Sequence, residues 1–235
     1  LVDVDIETFN IDVESIRNAI TPKTKAIIPV HLFGQEAQMF EIMKIADEFK
    51  LFVVEDNAQS LGSNYSFPDG NKIKTGTIGN IGTTSFFPSK NLGAYGDGGA
   101  LFTNDDEIAH TLRGISNHGM YVRYYHDIVG VNSRLDSIQA AILDIKLSQL
   151  DYYNNIRIDS AKKYTERLQT HPNIITPYCK GEKDSHVFHQ YTLRIIDRDR
   201  DALVSYLNQN AIPCGVYYPV PLHLQKAYRN NGFNE

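Results

Sequence analysis

Apolar positions along the first sixty residues switch between strand-like and helix-like spacing, and each switch predicts an element boundary. Leu1 to Ile6 alternates and predicts a short strand. Val13, Ile16 and Ile20 recur at helical spacing, and Thr21-Pro22 ends that helix. Lys25 to Val30 reads as a buried strand, left through the turn His31-Leu32-Phe33-Gly34. Met39, Ile42, Met43, Ala46 and Phe49 then mark one face of an amphipathic helix, which leads into the apolar run Leu51 to Val54 ending on Glu55-Asp56. Strand, helix, strand with short joins predicts parallel β-α-β units and an α/β fold.

Beyond this point the pattern loosens. Tyr65 to Ile81 is rich in Gly, Asn, Asp, Lys and Pro and predicts a loop or hairpin. Strand-like segments at Thr83–Phe87 and Gly99–Phe102 bracket a lysine, and Asn104 or Asp105 caps a helix through Ile108 and Leu112. Asp136 caps another with Ile138, Ala141, Ile142 and Ile145 on one face, and helical character runs on to about Thr170 with a bend near Leu150 to Asn155. Val187 to Ile196 alternates as a strand, and Asp199 to Asn210 predicts a helix with Leu203, Tyr206 and Leu207 on one face. The change of texture places a domain boundary in the long helical region, giving a large domain over 1–150 and a second over 151–235. The chain enters at once on a strand-like pattern at Leu1 and stops at a turn-like Asn231-Gly232-Phe233, so it reads as a piece of a longer polypeptide.

The net charge of −5, with no basic stripe, argues against nucleic acid as a partner. Two cysteines, Cys179 and Cys214, without metal-type spacing fit a reducing compartment, and no apolar run approaches membrane-spanning length. A soluble cytoplasmic protein is the expectation. The histidines His118 and His126 fit no metal pattern, and His186 and His189, on the expected strand, point to opposite faces, so no metal is expected.

Chemistry concentrates at two places. Ligands of open α/β sheets gather beyond the carboxyl ends of the strands, where His31 and Asp56 stand, with Gln59 three positions on. A carboxylate there is either a helix N-cap or a site residue. Lys90 lies between SFFPS and the glycines at 93, 96, 98 and 99, where backbone approaches a bound group closely. A partly desolvated lysine is a usable amine nucleophile, the start of Schiff-base chemistry, although a loop lysine in a tight turn fits the same pattern. Gly76, Gly79 and Gly82 do not form a P-loop, because the Gly-Lys-Ser/Thr ending is missing.

Four motifs, VVEDNAQSLG (53–62), SFFPSKNLGAYGDGGAL (85–101), GVNSRLDSIQAAIL (130–143) and YYPVPLHLQKAY (217–228), resemble in order those of the DegT/DnrJ/StrS family. These are pyridoxal-phosphate (PLP) aminotransferases acting on nucleotide-linked keto sugars. The resemblance implies the fold-type-I aminotransferase architecture, a large α/β domain with a mainly parallel sheet plus a smaller C-terminal α+β domain. It also assigns roles. Lys90 matches the lysine that carries PLP and shuttles a proton, Asp56 the carboxylate facing the pyridine nitrogen, Gln59 the residue against the ring, and Ser85 a hydroxyl donor to the phosphate. Asn132 matches a residue reaching the phosphate from the neighbouring subunit, which implies a homodimer, and Tyr218 and His223 fall near the sugar nucleotide.

By the same resemblance the amino donor is glutamate, and GVNSRLDSIQAAIL looks more like enzymes that aminate C3 of a hexose than like the C4 group. A C4 aminotransferase and a non-catalytic relative are the alternatives. The sugar dehydratase branch has histidine in place of the lysine, and Lys90 argues against it. Two departures stand out: family members carry an N-terminal Gly-Thr or Gly-Ser helix start that cradles the phosphate, and they continue past the equivalent of Glu235. Asn57, beside Asp56, also stands where members often have a smaller residue.

Overall fold

The structure, a computed structural model, describes residues 1–179 and 181–228. Residues 1–170 and 176–193 form one compact unit, and residues 171–175 form a second with the described residues from Arg194 onward. No described helix is long and apolar enough to cross a membrane.

The first unit opens with α1 (Val13–Ala19), begun by the Asp12 carboxylate accepting the Ser15 N–H at 2.7 Å. It continues with β1 (Ala26–Ile27), α2 (Met39–Phe49), β2 (Phe52–Asp56), the hairpin β3 (Asn64–Ser66) and β4 (Lys72–Lys74), β5 (Ile81–Ser85) and β6 (Gly99–Phe102). Next come α3 (Asp106–Ser116), a short hairpin of β7 (Met120–Val122) and β8 (Tyr125–His126), α4 (Ser137–Leu147) and α5 (Leu150–Leu168). The main sheet has the order β1-β2-β5-β6. β1 and β2 are parallel, β2 and β5 are parallel with Asp56 opposite Thr83, and β6 returns antiparallel with Gly99 opposite Ser85. One β-α-β crossing, from β1 to β2, and a second parallel connection, from β2 to β5 through the β3–β4 hairpin, therefore end at one sheet edge, the carboxyl end where Asp56 and Ser85 lie.

The core explains why these segments hold. Helix α2 buries Met39, Ile42, Ile45 and Ala46 against Ile16, Ile27 and Val53, while Phe49, expected on the same face, stays largely exposed. A second cluster packs Phe86, Leu92 and Ala94, from the loop around Lys90, against Leu143 and Leu150 of the helical region. That loop thus rests on a solid floor.

One polar knot lies inside the first unit. On β2, Val53 and Glu55 face inward while Asp56 takes the opposite face. The Glu55 and His31 side chains are both 0% exposed and meet at 2.9 Å, Nε2 to Oε2. Because His31 Nδ1 accepts the Ala37 N–H at 3.0 Å, the ring proton resides on Nε2 and donates to the carboxylate. Glu55 also accepts the N–H groups of Gly76, Ile78 and Gly79 at 2.7, 2.6 and 2.6 Å. Gly76 has φ +82°, and a Cβ there would lie 2.9 Å from Asn57, so the loop demands glycine. Burial pushes the Glu55 carboxyl up, yet His31 and the backbone donors outweigh it and leave the group below the ordinary carboxylate range.

The second unit pairs β9 (Ile174–Ile175) antiparallel with β10 (Arg194–Ile195) and carries α6 (Arg200–Gln209), capped by Asp199 through the Ala202 N–H at 2.9 Å. A single 3-10 turn spans Leu222–Leu224.

Three expectations need correction. Leu1 to Ile6 makes only an isolated bridge, Val4 to Ile11, because the Asp5 carboxylate gathers the Glu7 and Thr8 N–H groups into a turn. Val187 to Ile196 is a strand only at Arg194–Ile195; Phe188 takes φ +46°, and the neighbouring backbone bonds to the turn at Phe33-Gly34 instead of a sheet. His186 and His189 are accordingly not on opposite faces of a strand. Finally, Asp136 stands at the N-cap of α4 without a side-chain cap bond, and Ile138 and Ile145 are each 74% exposed while Leu143 turns to the core.

Replacing Glu55 by Gln leaves buried N–H groups facing an amide that cannot accept from all of them. We expect a loss of about 3 kcal/mol or more in urea unfolding of the full-length protein. Because the folded-state proton affinity of Glu55 is depressed, its stabilisation is present above the unfolded carboxylate range and is lost as pH falls through the folded value. The wild-type midpoint should therefore drop in that acid window and the Glu55→Gln midpoint should not.

Candidate active site

Asp56 ends β2 with its backbone still in the parallel ladder: its N–H donates to Pro29 O at 2.9 Å and its carbonyl accepts the His31 N–H at 3.0 Å. The carboxylate Oδ1 accepts the Ala58 N–H at 3.0 Å, which closes a turn and not a helix start. Of the two sequence readings, the helix N-cap is thus set aside. His31, the other strand-end candidate, is consumed by Glu55 and lies wholly inside the protein.

Lys90 sits in the loop joining β5 to β6, at the end of a turn closed by its own N–H to Phe87 O at 2.9 Å. The loop doubles back, with the Ala94 N–H on Phe86 O at 2.7 Å, and Gly93 passes so near that a Cβ would lie 2.4 Å from Pro88 O. The Gly93 carbonyl accepts from Lys146 of α4. Buried Asn91, the next residue after the lysine, donates to Asn154 Oδ1 of α5 at 2.7 Å and to Val187 O at 3.1 Å. The lysine is therefore half-buried on a loop anchored to α4, α5 and the segment at 187.

Burial lowers the proton affinity of Lys90, and the Asp56 charge raises it in opposition. The two predicted residues thus act on each other across the carboxyl ends of β2 and β5. Gln59 joins them from the turn after Asp56, its Oε1 accepting the Phe33 N–H at 2.6 Å. Ser85, the last residue of β5, accepts the Phe87 N–H at 3.2 Å, which leaves its hydroxyl hydrogen as a donor. Asn132 is exposed and bridges to Asn117; it lines an open cleft of about 750 Å³ with Thr83, Arg113 and Arg134, a lining that does not include Lys90, Asp56, Gln59 or Ser85. Tyr218 and His223 belong to the second unit.

Two further side chains shape this neighbourhood without a local signal in the sequence. Arg157 of α5 is half-buried, its proton affinity lowered by burial, and it donates to the carbonyls of Phe188 and His189 at 3.1 and 3.3 Å. Burial, then Lys90 and Arg157, push His189 down to about 4, so its ring is neutral at physiological pH. His186 is pushed to about 3 by burial and stacks on Phe188 with ring centroids 3.8 Å apart. Among the described residues no group of three His, Cys, Asp or Glu converges in a way that holds a metal ion. The arrangement is an amine of reduced basicity with one carboxylate acting on it, suited to attack on a carbonyl. In Asp56→Asn the charge that supports the Lys90 proton is gone. The Lys90 midpoint, read from pH-dependent acylation by peptide mass spectrometry, should fall by about one pH unit or more.

The model of the DegT/DnrJ/EryC1/StrS aminotransferase family matches residues 1–235. A "Pleiotropic regulatory protein" of Geobacillus stearothermophilus is 48% identical over 238 residues, covering 100% of this chain and 61% of that protein. The UDP-2-acetamido-2-deoxy-3-oxo-D-glucuronate aminotransferase of Pseudomonas aeruginosa is 44% identical over 226 residues, covering 96% of this chain and 60% of that enzyme. Among solved structures, that of DesV from S. venezuelae in complex with a ketimine intermediate superposes with a TM-score of 0.91 at 39% identity, covering 100% of this chain and 61% of that one. The chain thus spans about three fifths of the length of these relatives. With a mainly parallel sheet, the Lys90–Asp56 pair at its carboxyl edge and a family match along its whole length, the chain belongs to the DegT/DnrJ/EryC1/StrS aminotransferase family, of fold type I and dependent on PLP.

Proposed function

We propose that the full-length protein transfers an amino group from glutamate to the C3 keto group of a nucleotide-linked hexose, with PLP carried on Lys90. The observation that carries this reading is the electrostatic pairing of a half-buried lysine with a strand-end carboxylate in a chain of this family. The C3 preference is supported by the 3-oxo sugar in the name of the P. aeruginosa relative.

The residues present fit the cofactor. Among the described residues the Lys90 amine makes no hydrogen bond, the Ser85 hydroxyl retains a hydrogen to donate, and one Asp56 oxygen is engaged only by a turn N–H. Amine, carboxylate, hydroxyl and the Gln59 amide answer an aldehyde, a pyridine nitrogen, a phosphate and a ring hydroxyl in turn. When bound, PLP supplies the electron sink for proton removal beside the nitrogen. Asp56 keeps a proton on the ring nitrogen, Ser85 fixes the phosphate, and Gln59, held by the Phe33 N–H, lies against the ring. Lys90, freed during transfer, takes and returns the proton; burial lowers its basicity and so eases the return.

Our reading includes a homodimer in the cytoplasm, with Asn132 of one subunit reaching the phosphate held by the other, and with Tyr218 and His223 at the sugar nucleotide. The exposure of Asn132 and of Ile138 and Ile145 on α4 supports it. The domain division we favour places the cofactor domain over 1–150. A second reading, a regulatory protein that keeps the fold without turnover, is favoured by the name of the G. stearothermophilus relative. Amination at C4 is the remaining enzymatic alternative.

Purified full-length protein assayed with glutamate against a panel of 3-keto and 4-keto sugar nucleotides tests the function. Amination of a 3-keto sugar is expected, and cofactor absorbance without turnover on any member favours regulation. Borohydride should trap the cofactor on the peptide holding Lys90, and Lys90→Ala should abolish both adduct and activity; an adduct on another lysine removes Lys90 from the role. Mixing Lys90→Ala with Asn132→Ala subunits should restore activity, since a shared-site dimer then has one site with both defects and one with neither. No recovery after proven exchange, with Asn132→Ala itself strongly impaired, means that Asn132 serves no neighbouring site.

A further inference from the structure

Leu150, Asn154, Ile158 and Ala161 of α5 turn inward at helical spacing, and all but one are apolar. The exception, Asn154, is 4% exposed. An amide on a buried stripe costs stability unless its donor and its acceptor are both met. Here both are met, and by different loops of the first unit. Its Nδ2 donates to Leu61 O at 3.1 Å, in the turn that follows Asp56 and Gln59. Its Oδ1 accepts the Asn91 Nδ2 at 2.7 Å, from the residue next to Lys90. The same Asn91 nitrogen donates to Val187 O at 3.1 Å.

The orientation of both amides is forced. Leu61 O and Val187 O are carbonyls and only accept, so each asparagine turns its nitrogen to its carbonyl, and the Asn154 oxygen is left to face the Asn91 nitrogen. The fit is close: Gly62, beside Leu61, has φ +94°, and a Cβ there would lie 2.5 Å from Asn154 Nδ2. Asn91 Oδ1 is shielded from solvent without a partner among the described residues. An orphaned acceptor is a cost that an apolar side chain at 91 avoids, and the ties made by the nitrogen are what it is set against. Those ties matter most for the lysine. Asp56 is set by the β2–β5 ladder opposite Thr83, whereas Lys90 lies beyond the end of β5 and depends on the anchors of its loop.

We propose that Asn154 is a positioning residue for the site: bonded to the neighbour of Lys90 on one side and to the turn after Gln59 on the other, it fixes the separation between the lysine loop and the strand end that carries Asp56. A ligand answering to Lys90 at one end and to Asp56 and Gln59 at the other feels that separation directly. Arg157, one turn along α5, is spent on the carbonyls of Phe188 and His189 and does not take over the task. The catalytic meaning rests on the reading of Lys90 and Asp56 as cofactor residues, but the brace is a property of the chain.

The test uses cofactor-free full-length protein and reads the Lys90 midpoint from pH-dependent acetylation of its peptide by acetic anhydride, with Asp56 and with Asp56→Asn. The difference between the two midpoints measures the coupling across the brace, about one pH unit in wild type. Asn154→Leu keeps the branched shape, removes both bonds and adds no charge. The difference should then fall to about half or less, because a looser loop admits water and weakens the field of Asp56. Asn91→Ala should do the same with Asn154 intact. Ile158→Ala, on the same stripe, lowers the urea midpoint without touching either bond and should leave the difference unchanged, so lost stability alone does not give this pattern. A difference within about 0.2 of wild type in folded Asn154→Leu or Asn91→Ala overturns the proposal, as does an equal fall in Ile158→Ala. If neither asparagine variant folds, the wild-type side-chain amides decide: those of Asn91 and Asn154 should exchange hydrogen at least about tenfold more slowly than that of exposed Asn104, and equal rates overturn the proposal. No midpoint difference in wild type overturns it too. None of these readouts involves the cofactor, so failure here is distinct from failure of borohydride trapping at Lys90.

Discussion

A carboxylate with no access to water organises this fold. Glu55 is surrounded by four donors, the His31 ring and three backbone N–H groups, and without them a charge at that depth is untenable. The four bonds join the turn after β1, the strand β2 and the loop before β5. Their consequence reaches the site by strand alternation. With Glu55 locked inward, Asp56 must face the other way, at the carboxyl edge of the sheet where the Lys90 loop passes. Structure and chemistry therefore share two adjacent acids with opposite tasks, one holding the loops and one acting on the lysine.

The site itself is a balance between burial and a single compensating charge. Lys90 is held half-buried because the loop that carries it is floored by Phe86, Leu92 and Ala94 and tied through Asn91 to α5. Burial works against its proton and Asp56 works for it. Arg157 and His189 lie in the same neighbourhood, and the carbonyls of the 188–189 backbone, turned to Arg157, satisfy that cation without placing another carboxylate near the lysine. An anionic ligand entering such a site meets a positive field with one fixed negative partner.

Outside the site, the surface of the first unit carries apolar groups that no described element covers, Ile138 and Ile145 on α4 and Val129 and Val131 before it among them. Such a face costs a solitary chain solubility, and larger exposed apolar patches mark places where other surface packs. Helix α4 also holds Lys146, which reaches the Gly93 carbonyl in the Lys90 loop. The outer face of α4 is thus one helix away from the Lys90 loop.

The sequence alone determined the elements whose information is periodic or local. The helical spacing of Met39, Ile42 and Ala46, the apolar run before Glu55-Asp56 and the glycines around Lys90 were enough for the β-α-β order, the carboxyl-edge position of Asp56 and the lysine in its loop. The family motifs were legible too, because they are short and contiguous. Tertiary structure decided the partners. Periodicity says which face a residue takes but not what meets it there, so the sequence left His31 among the site candidates, whereas the fold pairs it with Glu55 across 24 residues. It equally could not say that Asn91 meets Asn154, 63 residues on. The 187–196 stretch shows the limit most plainly: its alternation reads as a strand, but Phe33-Gly34 offers its backbone hydrogen bonds nearer to hand.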